Sequence, residues 1–374
     1  MRRRIVESMK HLAPIVAALV LCSGAAATGT ATRGWCRAPT PASWKRTLSR
    51  SVVSLSRRAS VKPIVGAGDG RSFFAEVYSS VFSGVARVDA RTSHVTRIRR
   101  FPSAHDDQAD GSFDGRWFVW NEYHSLEDGG FNTFTTFAWD SRTGAVSQIG
   151  AATRDPNGDF WPSPWRQPDV RGGFATWTQG TAPGGVTDVH VYDLARGIDR
   201  VVRHGHAEGS FMVAGPLVVW PESVTRGAYT RMLAADPRTG TSEAPPRALA
   251  GLRGISALFT DGRAIAYPSA KFTSLWWSPS LRSAPQLIFK PRKALTYVDN
   301  GVRIAGRYLI FTVVGKGYLA DTKARRYVDI GTVPFAIDRR ALIVSRWAKG
   351  KTLHPRGPVS FIPARSLPRL TRCV

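Results

Sequence analysis

The chain has 374 residues and is short of three things: cysteine, acidic side chains and long apolar runs. It has only three cysteines, Cys22, Cys36 and Cys373. Acidic residues number 27 against 52 lysines and arginines, a net charge of +25. Beyond the N-terminus no apolar run approaches the roughly 20 residues that span a bilayer as a helix, so the sequence carries no such anchor there. The chain also lacks a Gly-x-Ser-x-Gly elbow, a His-Glu-x-x-His pair and a phosphate-binding glycine loop. The sequence signatures of serine hydrolases, zinc peptidases and nucleotide-cleaving enzymes are therefore missing.

The N-terminus reads as an export signal. Arg2, Arg3, Arg4 and Lys10 precede an apolar run from Leu12 to Leu21 that is broken only by Pro14, and Ala25-Ala26-Ala27 follows. A basic start, a short apolar stretch and small residues at the cut are what a signal peptidase needs. A lipoprotein would use Cys22, but Leu21 stands where that signal wants a small residue. The expected division is a signal peptide over 1–27, an extension with a short helix over 28–61, and a repeat domain over 62–374. The mature chain is then secreted or held at the cell envelope.

The repeat sets the fold. Asp69-Gly70-Arg71 precedes Phe73-Phe74-Ala75, and Asp114-Gly115-Arg116 precedes Trp117-Phe118-Val119-Trp120. Gly172-Gly173, Ala214-Gly215-Pro216, Asp261-Gly262-Arg263 and Ala305-Gly306-Arg307 each introduce a similar apolar run. A seventh copy, Asp338-Arg339-Arg340, has lost its glycine. Glycine suits a tight turn with positive φ. The β-branched and aromatic residues after it suit a strand buried on both faces. A second turn trails the first: Asp89-Ala90-Arg91-Thr92, Asp140-Ser141-Arg142-Thr143-Gly144, Asp193-Leu194-Ala195-Arg196-Gly197 and Asp236-Pro237-Arg238-Thr239-Gly240, with a weaker copy at Asp321. Aspartate caps such a turn and glycine takes its left-handed position. Each unit of about 45 residues therefore reads as four strands. The chain is expected to be all-β, a β-propeller of about seven four-stranded blades with a short N-terminal helix outside the ring.

The Asp-Gly-Arg turn, the aromatic strand and the Tyr-Asp-Leu-x-x-Gly hairpin at 192–197 resemble the TolB-like and WD40-like propeller superfamily over roughly residues 62–372. The Trp-Ser-Pro-Asp-Gly typical of TolB-like blades is absent. Propellers of this kind serve as scaffolds, as periplasmic binding modules and as domains attached to peptidases, so the resemblance implies a fold and little more. A ring brings its ends together, which would let Cys36 and Cys373 form a disulfide in an oxidising compartment. Thr40-Pro41 followed by Ala42, Trp44, Lys45 and Leu48 reads as a short capped helix near that closure.

Several residues stand out as site candidates. The longest spacing between repeats holds Asp155, Asn157 and Asp159, which alternate as calcium ligands do, but neither the glycine nor the glutamate of a full calcium loop follows. Their other reading is a turn capped by its own side chains. Trp161 and Trp165 in the same insertion could stack on sugar rings or plug the gap between blades, and Pro162 and Pro164 stiffen the segment. Glu122, Gln179 and Glu222 align two residues after Trp120, Trp177 and Trp220, on one face of the ring. Two carboxylates there could act as acid and base on a glycoside if their separation allowed it. His124, His204 and His206 lack a third metal ligand at a recognisable spacing.

Charge is unevenly spread. Residues 102–240 carry 11 basic and 17 acidic side chains, whereas residues 241–374 carry 23 and 6. The expected protein is a monomeric, non-enzymatic binding or scaffold propeller. It would recognise a protein, a glycan or an anionic envelope polymer through one face, with no nucleic-acid partner. The alternative is a carbohydrate-active enzyme, a glycoside hydrolase or lyase, that uses Glu122 and Glu222 or the 155–159 loop.

Overall fold

The computed structural model describes residues 34–372 apart from 56–58, 103–107, 125–131, 165, 226–227, 254, 256, 270–272, 291–301, 314–315 and 346–357. The expected signal peptide over 1–27, Trp165 and Cys373 lie outside the described residues. Gly34–Val374 forms one unit. It is a ring of seven antiparallel sheets. The first five are four-stranded, in simple up-and-down order, and begin at Ser60, Gln108, Asp169, Phe211 and Phe259. The sixth (303–329) gains a fifth strand, and the seventh (333–363) has three. This is the seven-bladed propeller expected from the repeat.

All seven turns of the first type join the first and second strands of a blade, and the second type joins the third and fourth. Both therefore lie on one face of the ring. The glycine in each of the first six copies sits at positive φ, from 58° at Gly172 and Gly306 to 113° at Gly215. The aspartate has two jobs. Asp114 Oδ1 accepts the Arg116 and Trp117 amides and so caps its own turn, while Oδ2 accepts the Gly173 amide of the next blade at 3.1 Å. Asp261 reaches Gly306 and Asp338 reaches Gly68 in the same way. The arginine ties the two turns of its own blade together. Arg116 forks onto Asp140 at 3.1 and 2.6 Å, Arg307 forks onto Asp321 at 2.7 and 2.5 Å, and Arg71 pairs with Asp89. Such bidentate pairs fix orientation as well as adding energy. The repeated Asp-Gly-Arg is thus a staple along and between blades.

The apolar core is divided among the blade interfaces. Trp120 lies in the cluster between blades 1 and 2, Trp177 between 2 and 3, and Trp220 between 3 and 4. Phe74 of blade 1 stacks on Phe118 of blade 2 with ring centroids 4.1 Å apart. Offset stacking of this kind adds roughly 0.5–1.5 kcal/mol beyond area burial.

The N-terminal extension closes the ring across two blades. Cys36–Ala38 runs parallel to Arg326–Asp329 as the outermost strand of blade 6. Helix α1 (Trp44–Arg50) then fills the rim between blades 6 and 7. Trp44 is 3% exposed, and its Nε1 donates to Ile330 O at 2.9 Å. Next, Ser51–Val53 lies antiparallel to the last strand of blade 7: Val53 N donates to Val359 O and Phe361 N donates to Ser51 O, both at 2.8 Å. These residues supply the fourth strand that blade 7 otherwise lacks.

Candidate ligand site at the channel mouth

The first strand of every blade faces the central channel, runs toward the stapled face and ends in the first of the two turns. The opposite mouth is therefore built from the starts of these strands and from the loops that lead into them. The channel encloses a cavity of 1340 Å³, large enough for a small ligand. Polar side chains from different parts of the ring line it, among them Lys62, Asp110, Tyr123, Arg166, Gln167, Asp169 and Arg303. Arg303 Nη2 of blade 6 donates to Gln167 Oε1 at 2.7 Å and lies 4.0 Å from Asp110 Oδ1, so one guanidinium spans the opening. Lys62 Nζ donates to the fully buried Glu76 at 2.8 Å, and Glu76 also accepts the Ala109 amide of blade 2 and the Tyr78 hydroxyl. The Arg166 carbonyl accepts the Tyr123 hydroxyl at 3.3 Å.

Burial inside the ring pushes the Asp110 carboxyl above the usual range, although Arg303 and Lys62 pull against it. Its side chain is still 30% exposed because it faces the open channel. Burial also raises the Tyr123 phenol, so it stays a hydrogen-bond donor across the physiological range. The mouth therefore combines three cations, the carboxyls of Asp110 and Asp169, both pushed upward by burial, an amide and a phenol. That set can hold an anionic group and bond hydroxyls beside it.

None of the site candidates singled out in the sequence, among the described residues, lines this cavity. The blade 2–3 insertion (152–168) delivers Arg166 and Gln167 to the channel, so the longest irregularity of the repeat does feed the site. Trp161 in it is half-buried, and its amide donates to Thr153 O. Asp155 Oδ1 accepts the amides of Asn157 and Asp159 at 2.8 and 2.9 Å, the self-capped turn. Glu122 is fully buried and accepts Trp120 Nε1 at 3.0 Å and Arg99 Nε at 3.1 Å. Glu222 accepts Arg203 through both nitrogens at 2.6 Å and Arg231 at 3.1 Å. Each glutamate thus bonds an arginine on the outer strand of the preceding blade, and the two serve separate interfaces, 1–2 and 3–4. Gln179 is buried between them in the ring order. The three histidines stand apart: His124 meets Thr135, His204 meets Asp188, and His206 meets Gly185 O. Among the described residues no group of three His, Cys, Asp or Glu side chains is placed to hold a metal ion.

Lys62, Asp110 and Arg303 escaped the sequence reading because each is the lone charged residue of its first strand, at a position with no recurring pattern. The only cue was a charge inside an otherwise apolar run, as in Lys62-Pro63-Ile64-Val65.

No family model and no curated protein matches the chain. Solved structures do. An oligogalacturonate lyase from Vibrio parahaemolyticus superposes with a TM-score of 0.53 at 10% identity, over 84% of this chain and 94% of that one. The β-propeller domain of the Trilobed protease from Pyrococcus furiosus gives 0.52 at 11% identity, over 82% and 94%. The likeness is one of fold. At these identities it carries no chemistry from either protein to this one. TolB from Acinetobacter baumannii also matches, with a TM-score of 0.40 at 11% identity, over 72% of this chain and 62% of that one.

Proposed function

We propose that this protein is an exported, non-enzymatic binding propeller that seats an anionic envelope ligand, a charged glycan or polymer end, at the channel mouth opposite the stapled face. One observation carries the reading: Lys62, Asp110, Arg166, Gln167 and Arg303, drawn from well-separated parts of the chain, converge on one 1340 Å³ cavity. A cavity lined by apolar walls with a few convergent polar groups, one with a perturbed pKa, is the usual form of a small-ligand site. The excess of basic residues would draw anions toward it. Glu122 spends its oxygens on Trp120 and Arg99, and Glu222 on Arg203 and Arg231, at different interfaces, which favours binding over a paired-carboxylate hydrolase.

The test is calorimetric titration of the purified protein with acidic, phosphorylated and neutral oligosaccharides, alongside Arg303→Gln and Asp110→Asn. Binding of an acidic or phosphorylated probe that falls about tenfold or more in Arg303→Gln, near 1.4 kcal/mol, supports the site. Equal binding by wild type and both variants removes the mouth as the site. Shortened saccharide products after prolonged incubation would overturn the non-enzymatic reading.

A further inference from the structure

A second groove lies on the rim between blades 4 and 5, away from the channel. Helix α2 (Arg247–Ala250), the loop after it, the second and third strands of blade 5 and the turn at 282–285 enclose 770 Å³. Ala248 and Leu249 anchor α2 in the core between the two blades, and the Ala248 amide donates to Leu281 O at 2.9 Å. The groove therefore has a fixed floor. Tyr267 and Trp276 are its aromatic members. Tyr267 is 7% exposed and burial pushes its phenol up to about 12, and among the described residues no protein group bonds its hydroxyl. Trp276 is half-buried, and its Nε1 is held by Ser274 Oγ at 3.1 Å, which fixes the indole edge.

Three exposed arginines line this groove: Arg247, Arg253 and Arg282. Among the described residues no acidic side chain lines it. Arg253 Nη1 donates to the carbonyls of Ala250 and Leu252, at 3.3 and 2.9 Å, which orients its guanidinium. Elsewhere on this ring arginines such as Arg116, Arg203 and Arg307 fork onto carboxylates of the protein. Here three guanidiniums share one cleft and none has such a partner among the described residues. Guanidinium forks match carboxylates. A half-open, edge-fixed indole beside a free phenol offers a flat face and a hydroxyl donor, which suits a sugar ring.

We infer that the groove formed by Arg247, Arg253, Tyr267, Trp276 and Arg282 is a binding site for a carboxylated polysaccharide chain, separate from the channel mouth. The inference does not depend on the reading of the mouth. Sugar rings lie over Trp276, and their carboxylates meet the arginines.

The test uses the purified protein with alginate oligomers as the carboxylated probe, dextran oligomers as the neutral one and inorganic polyphosphate as the non-sugar anion, read by tryptophan fluorescence and calorimetry. Alginate is expected to bind, to weaken steeply as salt is raised, and to lose at least tenfold in the Arg247→Gln/Arg282→Gln double variant. Both of those side chains are exposed, so folding should survive, and an unchanged melting temperature checks it. In the Lys62→Gln/Arg303→Gln background, where the mouth's own hold on acidic probes is weakened, the alginate loss caused by Arg247→Gln/Arg282→Gln should be undiminished. Equal binding of dextran, polyphosphate binding without alginate binding, or alginate affinity unchanged in the double variant each overturns the assignment. A loss confined to Lys62→Gln/Arg303→Gln overturns it too and hands the carboxylated ligand to the mouth.

Discussion

At the scale of single residues, the second turn of each blade shows what the sequence could and could not convey. Gly144, Gly197 and Gly240 hold φ of 69–77° at its fifth position. Ser93 and Arg325 hold the same position at 58° and 54°, where an L-residue is strained. Ser93→Gly should therefore stabilise the protein by about 0.5 kcal/mol, after allowance for the greater freedom of glycine in the unfolded chain. Gly144→Ala should destabilise by about 1 kcal/mol, and urea unfolding would measure both. The paired glutamates differ in a way that sequence could not reveal. Burial alone would raise Glu222, but Arg203 and Arg231 outweigh it and hold its carboxyl below the usual range. Its contribution is present above the unfolded pKa and lost as pH falls through the lower folded one. Glu122 is shifted upward, chiefly by burial, so its contribution is present at acid pH and lost as pH rises through the folded value. Glu222→Gln should therefore cost about 1–2 kcal/mol at pH 7 and flatten the acid side of the stability curve, whereas Glu122→Gln should cost less at pH 7 than at pH 4. Equal losses at both pH values would contradict the assignment.

At the scale of elements, the blades were legible because the turns repeat and the sites were not because they do not. Every Asp-Gly-Arg copy marked a real first turn, since aspartate caps it and glycine takes its positive φ, and in blades 1 and 2 the arginine also reaches the second turn. The same logic makes Asp114 more than a cap. Asp114→Ala removes both the turn bonds and the bond to Gly173 and should cost about 2–3 kcal/mol, with Asp114→Asn milder. Chemical denaturation of the two variants would show it. Helix α1 was visible from the spacing of Trp44 and Leu48, but it starts three residues past the expected Thr40-Pro41 cap: Ser43 is its N-cap without a side-chain bond, and Thr40 donates instead to Asp329 O. What no local pattern carried was the use of Cys36–Ala38 and Ser51–Val53 as strands of two different blades, because strand partners nearly 300 residues away leave no mark on either segment. Trp44→Ala should cost about 3–5 kcal/mol as a cavity at this seam, seen as a fall in melting temperature.

At the scale of the whole molecule, the two ends of the described chain meet. Arg326 donates through Nε to Cys36 Sγ and through Nη1 to Thr371 Oγ1, both at 3.1 Å. Thr371 stands two residues before Cys373, which supports the proposed Cys36–Cys373 disulfide. Mass spectrometry of alkylated, unreduced protein should find neither thiol free, and Cys36→Ser should lower stability by about 2–5 kcal/mol. Two modified thiols would refute the bridge. The seam has a further consequence in time. Residues 36–53 leave the ribosome before any of the seven blades, yet the strands they pair with, 326–329 and 359–361, are among the last to be made. For almost the whole of synthesis the head of the chain has no partner. The growing ring shows open strand edges at both ends, the state most exposed to aggregation. A chain cut short anywhere before blade 6 would strand Trp44 in water and leave the ring unclosed. Completion of the last two blades is therefore the step that commits this protein to its final form.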